Sequence, residues 1–181
     1  MIFYVPISVK PYVKRFIENN YGDPVDFRRF PREFEMFKRM LKKPCKRFEK
    51  HYKEKLSDRY AVIDVIITDN DFYRYGWQIS NTDNVSFGKY FERNAKYVMR
   101  TFVGLYVSFG TPIDKAIEMF QEKFNIPEEC WAFETIKKDF YRVRLNHDFN
   151  ISQYAFENMT KIIGVNLTSA GVITKEYLEK V

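Results

Sequence analysis

The sequence predicts an α+β fold, mainly helical, with a small antiparallel sheet. Three observations predict it. Apolar residues recur at intervals of three and four over most of the chain, the period of an amphipathic helix. Residues 60–68 form a run rich in β-branched side chains, which suits a strand. Glycine and proline number only seven each among 181 residues, too few for the many tight turns of a β-barrel or sandwich.

The elements follow in order. Residues 3–8 read as a first strand. Pro11 suits the first turn of a helix, with Ser8 as its cap and Tyr12, Val13, Phe16 and Ile17 as its apolar stripe. Residues 21–24, Tyr-Gly-Asp-Pro, end it. A helix over 32–43 places Phe30, Phe34, Phe37 and Leu41 toward the core. Pro44 interrupts it, and a second helical stretch runs to residue 56 with Cys45, Phe48, Tyr52 and Leu56 as its stripe.

Residues 60–68 then form the strongest strand. Asp69-Asn70-Asp71 is turn chemistry, and residues 72–79 return as the second strand of a hairpin over 60–79. The N-terminal strand joins this hairpin. Residues 80–84 are a polar capping region. A long helix follows to residue 108, with Phe87, Phe91, Val98, Phe102, Leu105 and Phe109 inward.

Gly110-Thr111-Pro112 stops that helix. Thr111 is a good cap and Pro112 a good first helical residue for a helix over 112–125. Its apolar face is Ile113, Ala116, Ile117, Phe120 and Phe124. After a turn over 126–132, a helix over 133–145 buries Phe133, Ile136, Phe140 and Val143. Together these make a helix-turn-helix-like pair at 112–145. The whole chain, 1–181, is expected to be a single domain, with 146–181 as a C-terminal appendage. The core is aromatic-rich, since Phe and Tyr total 31.

Charge is uneven. The net charge is +6, but residues 1–59 hold 16 basic and 8 acidic side chains, whereas residues 60–181 hold 14 and 16. Residues 28–59 alone carry 13 basic and 5 acidic groups. Such an excess attracts polyanions: nucleic acid, an anionic membrane or an acidic protein. It is also what a solubilising helix surface looks like.

Catalytic and metal signatures are missing from the sequence. Cys45 and Cys130 form no Cys-x-x-Cys pair, and His51 and His147 are the only histidines, so neither zinc nor a Ser/His/Asp arrangement is indicated. No Gly-rich phosphate loop is present, and no cofactor is expected. Asp64, Asp69 and Asp71 are the one set that could gather a divalent metal for phosphodiester cleavage, although Asp69 and Asp71 are better explained by turn formation. Two free thiols suit a reducing cytosol. No apolar run approaches a membrane span. A cytoplasmic protein without a membrane partner is expected.

Two regions could hold nucleic acid. The 133–145 helix presents Glu134, Thr135, Lys138, Tyr141 and Arg142 opposite Ile136 and Phe140, with Lys137 on a flank. In a helix-turn-helix the second helix enters the major groove, where Arg and Lys contact phosphates or guanine edges and Thr and Tyr contact base or backbone. The turn is longer than the compact one of that motif, and any αα-hairpin shares the pattern. In the basic helices, Lys38, Arg39, Lys42, Lys43, Lys46 and Arg47 could contact phosphates along one groove wall, while the interleaved aromatics fall on core stripes.

Ile113-Asp114-Lys115-Ala116-Ile117, Phe124-Asn125-Ile126-Pro127-Glu128-Glu129-Cys130-Trp131 and Glu134-Thr135-Ile136-Lys137-Lys138-Asp139-Phe140-Tyr141-Arg142 resemble small basic proteins of phages and mobile elements in gut bacteria. In that group this segment is taken for a helix-turn-helix-like module. The resemblance is confined to 112–145. It carries over no established activity, adds a little weight to nucleic-acid binding and assigns no site. The resulting expectation is a non-enzymatic protein that binds nucleic acid, duplex DNA first. The alternative is a phage-type structural or host-interaction protein whose basic patch meets an acidic protein. A metal-dependent nuclease ranks behind both.

Overall fold

A computed structural model describes residues 1–44, 60–108 and 110–146. The chain divides into two compact units, Met1–Lys138 and Asp139–Val181. The second is described only over 139–146.

The first unit is α+β and mainly helical, with two small antiparallel sheets. Strand β1 (Ile2–Val9) pairs antiparallel with β3 (Ala61–Thr68), Val5 opposite Val65 and Ile7 opposite Ile63. Alternation puts Val5, Ile7, Val9, Ile63, Val65 and Ile67 on one buried face. Val25 bridges the chain to β3, donating to the Asp64 carbonyl at 2.8 Å and accepting from Ile66 at 2.9 Å. The edge of β3 is thereby partly covered.

Helix α1 (Pro11–Tyr21) buries Tyr12, Val13, Phe16 and Ile17, the expected stripe. Its cap is Lys10, which makes no side-chain cap bond. Ser8 serves instead to dock another element: its N–H and C=O both bond the Asn84 side chain at 3.0 Å. After a 3₁₀ turn (Phe27–Arg29), α2 (Pro31–Met40) buries Phe37 and Met40. The spacing predicts Leu41 and Lys42 as its last turn, but the helix ends at Met40. Those two residues form strand β2 (Leu41–Lys42), which pairs with β4 (Gln78–Ile79). The helical stretch expected from Cys45 to residue 56 lies outside the described residues.

The hairpin over 60–79 is not formed. Residues 69–75 are helix α3 (Asp69–Tyr75), and β4 pairs with β2 rather than with β3. The helix that takes its place opens on a cap. The Asp71 N–H donates to the Thr68 hydroxyl at 3.3 Å, and that hydroxyl donates to the Asp71 carboxylate at 2.6 Å. Asp69 and Asp71 then sit in the first helical turn, where acidic groups favour the helix dipole. Phe72 stacks between Phe3 (4.0 Å between centroids) and Trp77 (4.3 Å).

Ser80 and Asp83 repeat the same cap at the start of α4 (Asn81–Ser108). This helix is the spine expected, but its buried ridge is Phe87, Phe91, Ala95, Met99 and Val103. Val98, Phe102 and Leu105 are half-buried. Steps of four residues make one continuous ridge that winds slowly around the helix. Phe102 flanks that ridge and meets Phe120 (5.8 Å) and Phe124 (5.9 Å) of the following segment. Phe109 lies outside the described residues.

Gly110, in the left-handed region at φ 86°, ends the helical path. Helix α5 (Ile113–Lys123) begins one residue later than expected, with Pro112 at its cap and no cap bond from Thr111. Ala116, Ile117 and Phe120 are its buried face. The turn that follows is packed into the unit. Ile126 and Trp131 are buried, and Trp131 stacks on Tyr12 at 4.2 Å. The Asn19 amide donates to the Phe124 carbonyl.

Helix α6 spans Phe133–Asn146. Glu128 caps it, its carboxylate accepting from the Phe133 N–H at 2.9 and 3.0 Å. Ile136 and Phe140 are buried, and Phe133 is half-buried. Two helices, α5 and α6, thus occupy 112–145, and the second runs across the boundary between the two units. No described helix is long and apolar enough to cross a membrane.

Candidate nucleic-acid interface

The residues singled out for backbone contact fall into three groups. Some are engaged within the fold. Lys38 pairs with Glu35, its ammonium also standing 4.6 Å from the Phe34 ring centre and 5.6 Å from that of Tyr75. Glu35 raises the Lys38 ammonium above the ordinary lysine range. Lys42 bonds Asp83 at 2.6 Å, and Lys137 bonds Asp114 at 2.7 Å, joining α6 to α5. These cations stabilise the fold and are not available to a groove at no cost.

A second group is exposed. Arg39, Lys43 and Lys138 face solvent, and none has a carboxylate partner among the described residues. Thr135 is exposed beside Lys138, and in the second unit so are Tyr141 and Arg142. The face expected opposite Ile136 and Phe140 is thus the exposed one, with Lys137 set aside. The third group, Lys46 and Arg47, lies outside the described residues.

The three aspartates do not gather. Asp64 is exposed on β3, Asp69 pairs with the Met1 ammonium at 2.9 Å, and Asp71 is buried in its cap with Thr68. Among the described residues no three His, Cys, Asp or Glu side chains are grouped to hold a metal ion.

Two further contacts shape the local charge. Arg28 grips Asp26 with two bonds, 2.8 and 2.6 Å, and holds that carboxyl below its ordinary range. Glu92 on α4 accepts from Lys10 (2.9 Å), the Tyr12 hydroxyl (2.9 Å) and Lys96 (3.2 Å). Burial pushes the Glu92 carboxyl up, but these donors outweigh it and the net shift is downward. A carboxyl with a lower pKa folded than unfolded stabilises the fold above its unfolded pKa, and loses that contribution as pH falls through the folded value. Glu92→Gln should therefore lower the urea midpoint at pH 7 and lower it by less at pH 3. An equal loss at both values would show that the ionised carboxylate is not what matters.

Charge counting misses one set. Lys89, Arg93 and Lys96 lie on α4 in the half of the chain with a net negative balance. Their spacing of four and three is the signal that identifies them. The chain matches no protein-family model, no curated protein and no solved structure.

Proposed function

We propose that this protein is a non-enzymatic nucleic-acid-binding protein, with duplex DNA as its first ligand, of the kind carried by phages and mobile elements. One observation carries the reading: Arg39, Lys43 and Lys138 remain exposed without carboxylate partners among the described residues, while Lys38, Lys42 and Lys137 are engaged. Cations without carboxylate partners can meet phosphates without first breaking an ion pair. The resemblance of 112–145 adds weight, as do exposed Thr135, Tyr141 and Arg142 on α6. The half-buried free thiol of Cys130 suits the reducing cytoplasm.

Anisotropy of a labelled mixed-sequence duplex tests this. With three phosphate contacts, affinity should fall about fortyfold between 50 and 200 mM salt. Absence of binding at the lower salt would end the reading.

A second reading has one observation of its own. The outer face of the β1–β3 sheet exposes Ile2, Tyr4 and Val62. Exposed apolar groups of this kind favour a protein partner, which the basic region would select for acidity. Co-purification that survives nuclease treatment would favour it.

A further inference from the structure

The solvent face of α4 carries a row of cations. Its buried ridge runs through Phe87, Phe91, Ala95, Met99 and Val103. At 100° per residue, Lys89, Arg93 and Lys96 fall together in an arc of about 60° opposite Phe87 and Phe91. The spacing is four and three. At 1.5 Å per residue the row is about 10 Å long. Lys89 and Arg93 are exposed, and neither has an ion pair among the described residues.

The row borders a shallow groove of about 510 Å³, lined by Ser86, Lys89, Glu92, Arg93 and Lys96. Its one carboxylate, Glu92, is already bonded to the ammonium groups of Lys10 and Lys96. The field in the groove is consequently positive.

We infer that this face of α4 lies along the phosphate backbone of duplex DNA, with Lys89 and Arg93 as direct contacts and Lys96 beside them. The inference rests on the nucleic-acid reading above and names a surface that it lacked. Charge complementarity selects the ligand: a duplex carries a negative charge roughly every 1.7 Å of its axis, and a rigid helix offers cations at fixed intervals. Single strands are gripped by stacked aromatics between cations, but on this face Tyr97 alone is a strongly exposed ring. An anionic membrane needs an apolar helix face to insert, and the apolar face of α4 is buried. An acidic protein needs an apolar anchor at the centre of its contact, and no apolar side chain lines this groove.

The test is duplex binding by the full chain and by Lys89→Gln/Arg93→Gln, from 50 to 200 mM salt. Loss of two contacts should reduce the salt slope by about 1.8 and weaken binding about sixtyfold at 0.1 M. Lys89→Arg/Arg93→Lys should bind as the wild type does. In the unaltered chain, saturating duplex should protect Lys89 from acetylation, a readout that does not depend on how a variant folds. Wild-type binding with an unchanged slope in the Gln variant and an unprotected Lys89 would overturn the inference and leave the nucleic-acid reading standing. Failure of the wild type to bind at 50 mM would overturn both. Displacement of the duplex by poly-glutamate at equal charge would assign the face to an acidic protein and overturn the duplex.

Discussion

Gly76→Ala is expected to cost about 3 kcal/mol or more, a large share of the roughly 5–15 kcal/mol that holds a domain together. Gly76 closes α3 with φ 94° and ψ −166°, a region that only glycine occupies readily. A methyl group there would also overlap the Lys42 carbonyl and the Lys43 amide nitrogen. These are backbone atoms and cannot swing aside. Relief would require β2 to move away from β4, where Leu41 pairs with Ile79 and Lys42 with Gln78. The Lys42–Asp83 bond would go with it. Urea unfolding checks this, with Gly88→Ala as the control. A methyl at Gly88 meets nothing within 4 Å inside a helix, so that change should be neutral or stabilise by up to about 1 kcal/mol. Equal midpoints for Gly76→Ala and wild type would refute the close approach of α3 and β2.

Phe27→Ala should lose about 3–5 kcal/mol, the usual effect of emptying a buried aromatic site. Phe27 is fully buried and lies within an aromatic cluster. Its ring stacks on Phe91 at 5.7 Å and meets Tyr21 (5.0 Å), Phe37 (6.0 Å) and Phe87 (6.1 Å). One side chain thus joins α1, α2 and α4. Melting should fall by about 10 °C for a chain of this size. A second readout is local. The Tyr21 phenol is pushed up to about 12, chiefly by burial and then by Glu33 and Tyr90. Opening the cluster hydrates Tyr21, so its alkaline titration should move back toward 10. A titration that stays in place in a folded variant would show that Phe27 does not shield it.

The helix at Asp69–Tyr75 and the strand at Leu41–Lys42, where local pattern predicts a strand and a helix, share a cause. Residues 68–71 and 80–83 carry the same pattern, a hydroxyl followed three positions later by aspartate. Both cap a helix. Only the second was legible as a cap, because Asp69-Asn70-Asp71 is equally good turn chemistry and Phe72 to Ile79 alternates enough for a strand. What decides is the packing of Phe72 against Phe3 and Trp77, which local pattern does not contain. Likewise Leu41 sits at helical spacing from Phe37, yet it turns into β2 because β4 supplies backbone partners.

The candidate interface divides in the same way. The outward face of α6 was legible, since Ile136 and Phe140 fix which side is buried. The fate of each cation was not. Lys38, Lys42 and Lys137 look like phosphate contacts in a count of charges, but Glu35, Asp83 and Asp114 come to meet them in the fold. Asp83 and Asp114 are distant in sequence from their partners. Lys89 and Arg93 were hidden by the acidic balance of their half of the chain.

The helix pair, the long spine, the strands β1 and β3 themselves and the mainly helical α+β class follow from the sequence itself. They depend on period, on β-branched runs and on caps, all of which act over a few residues. Which segment follows β3, which strand meets β4 and which cations stay unpaired were decided by tertiary structure. Each depends on groups brought together from distant positions, where a single carboxylate or ring changes what a side chain is free to do.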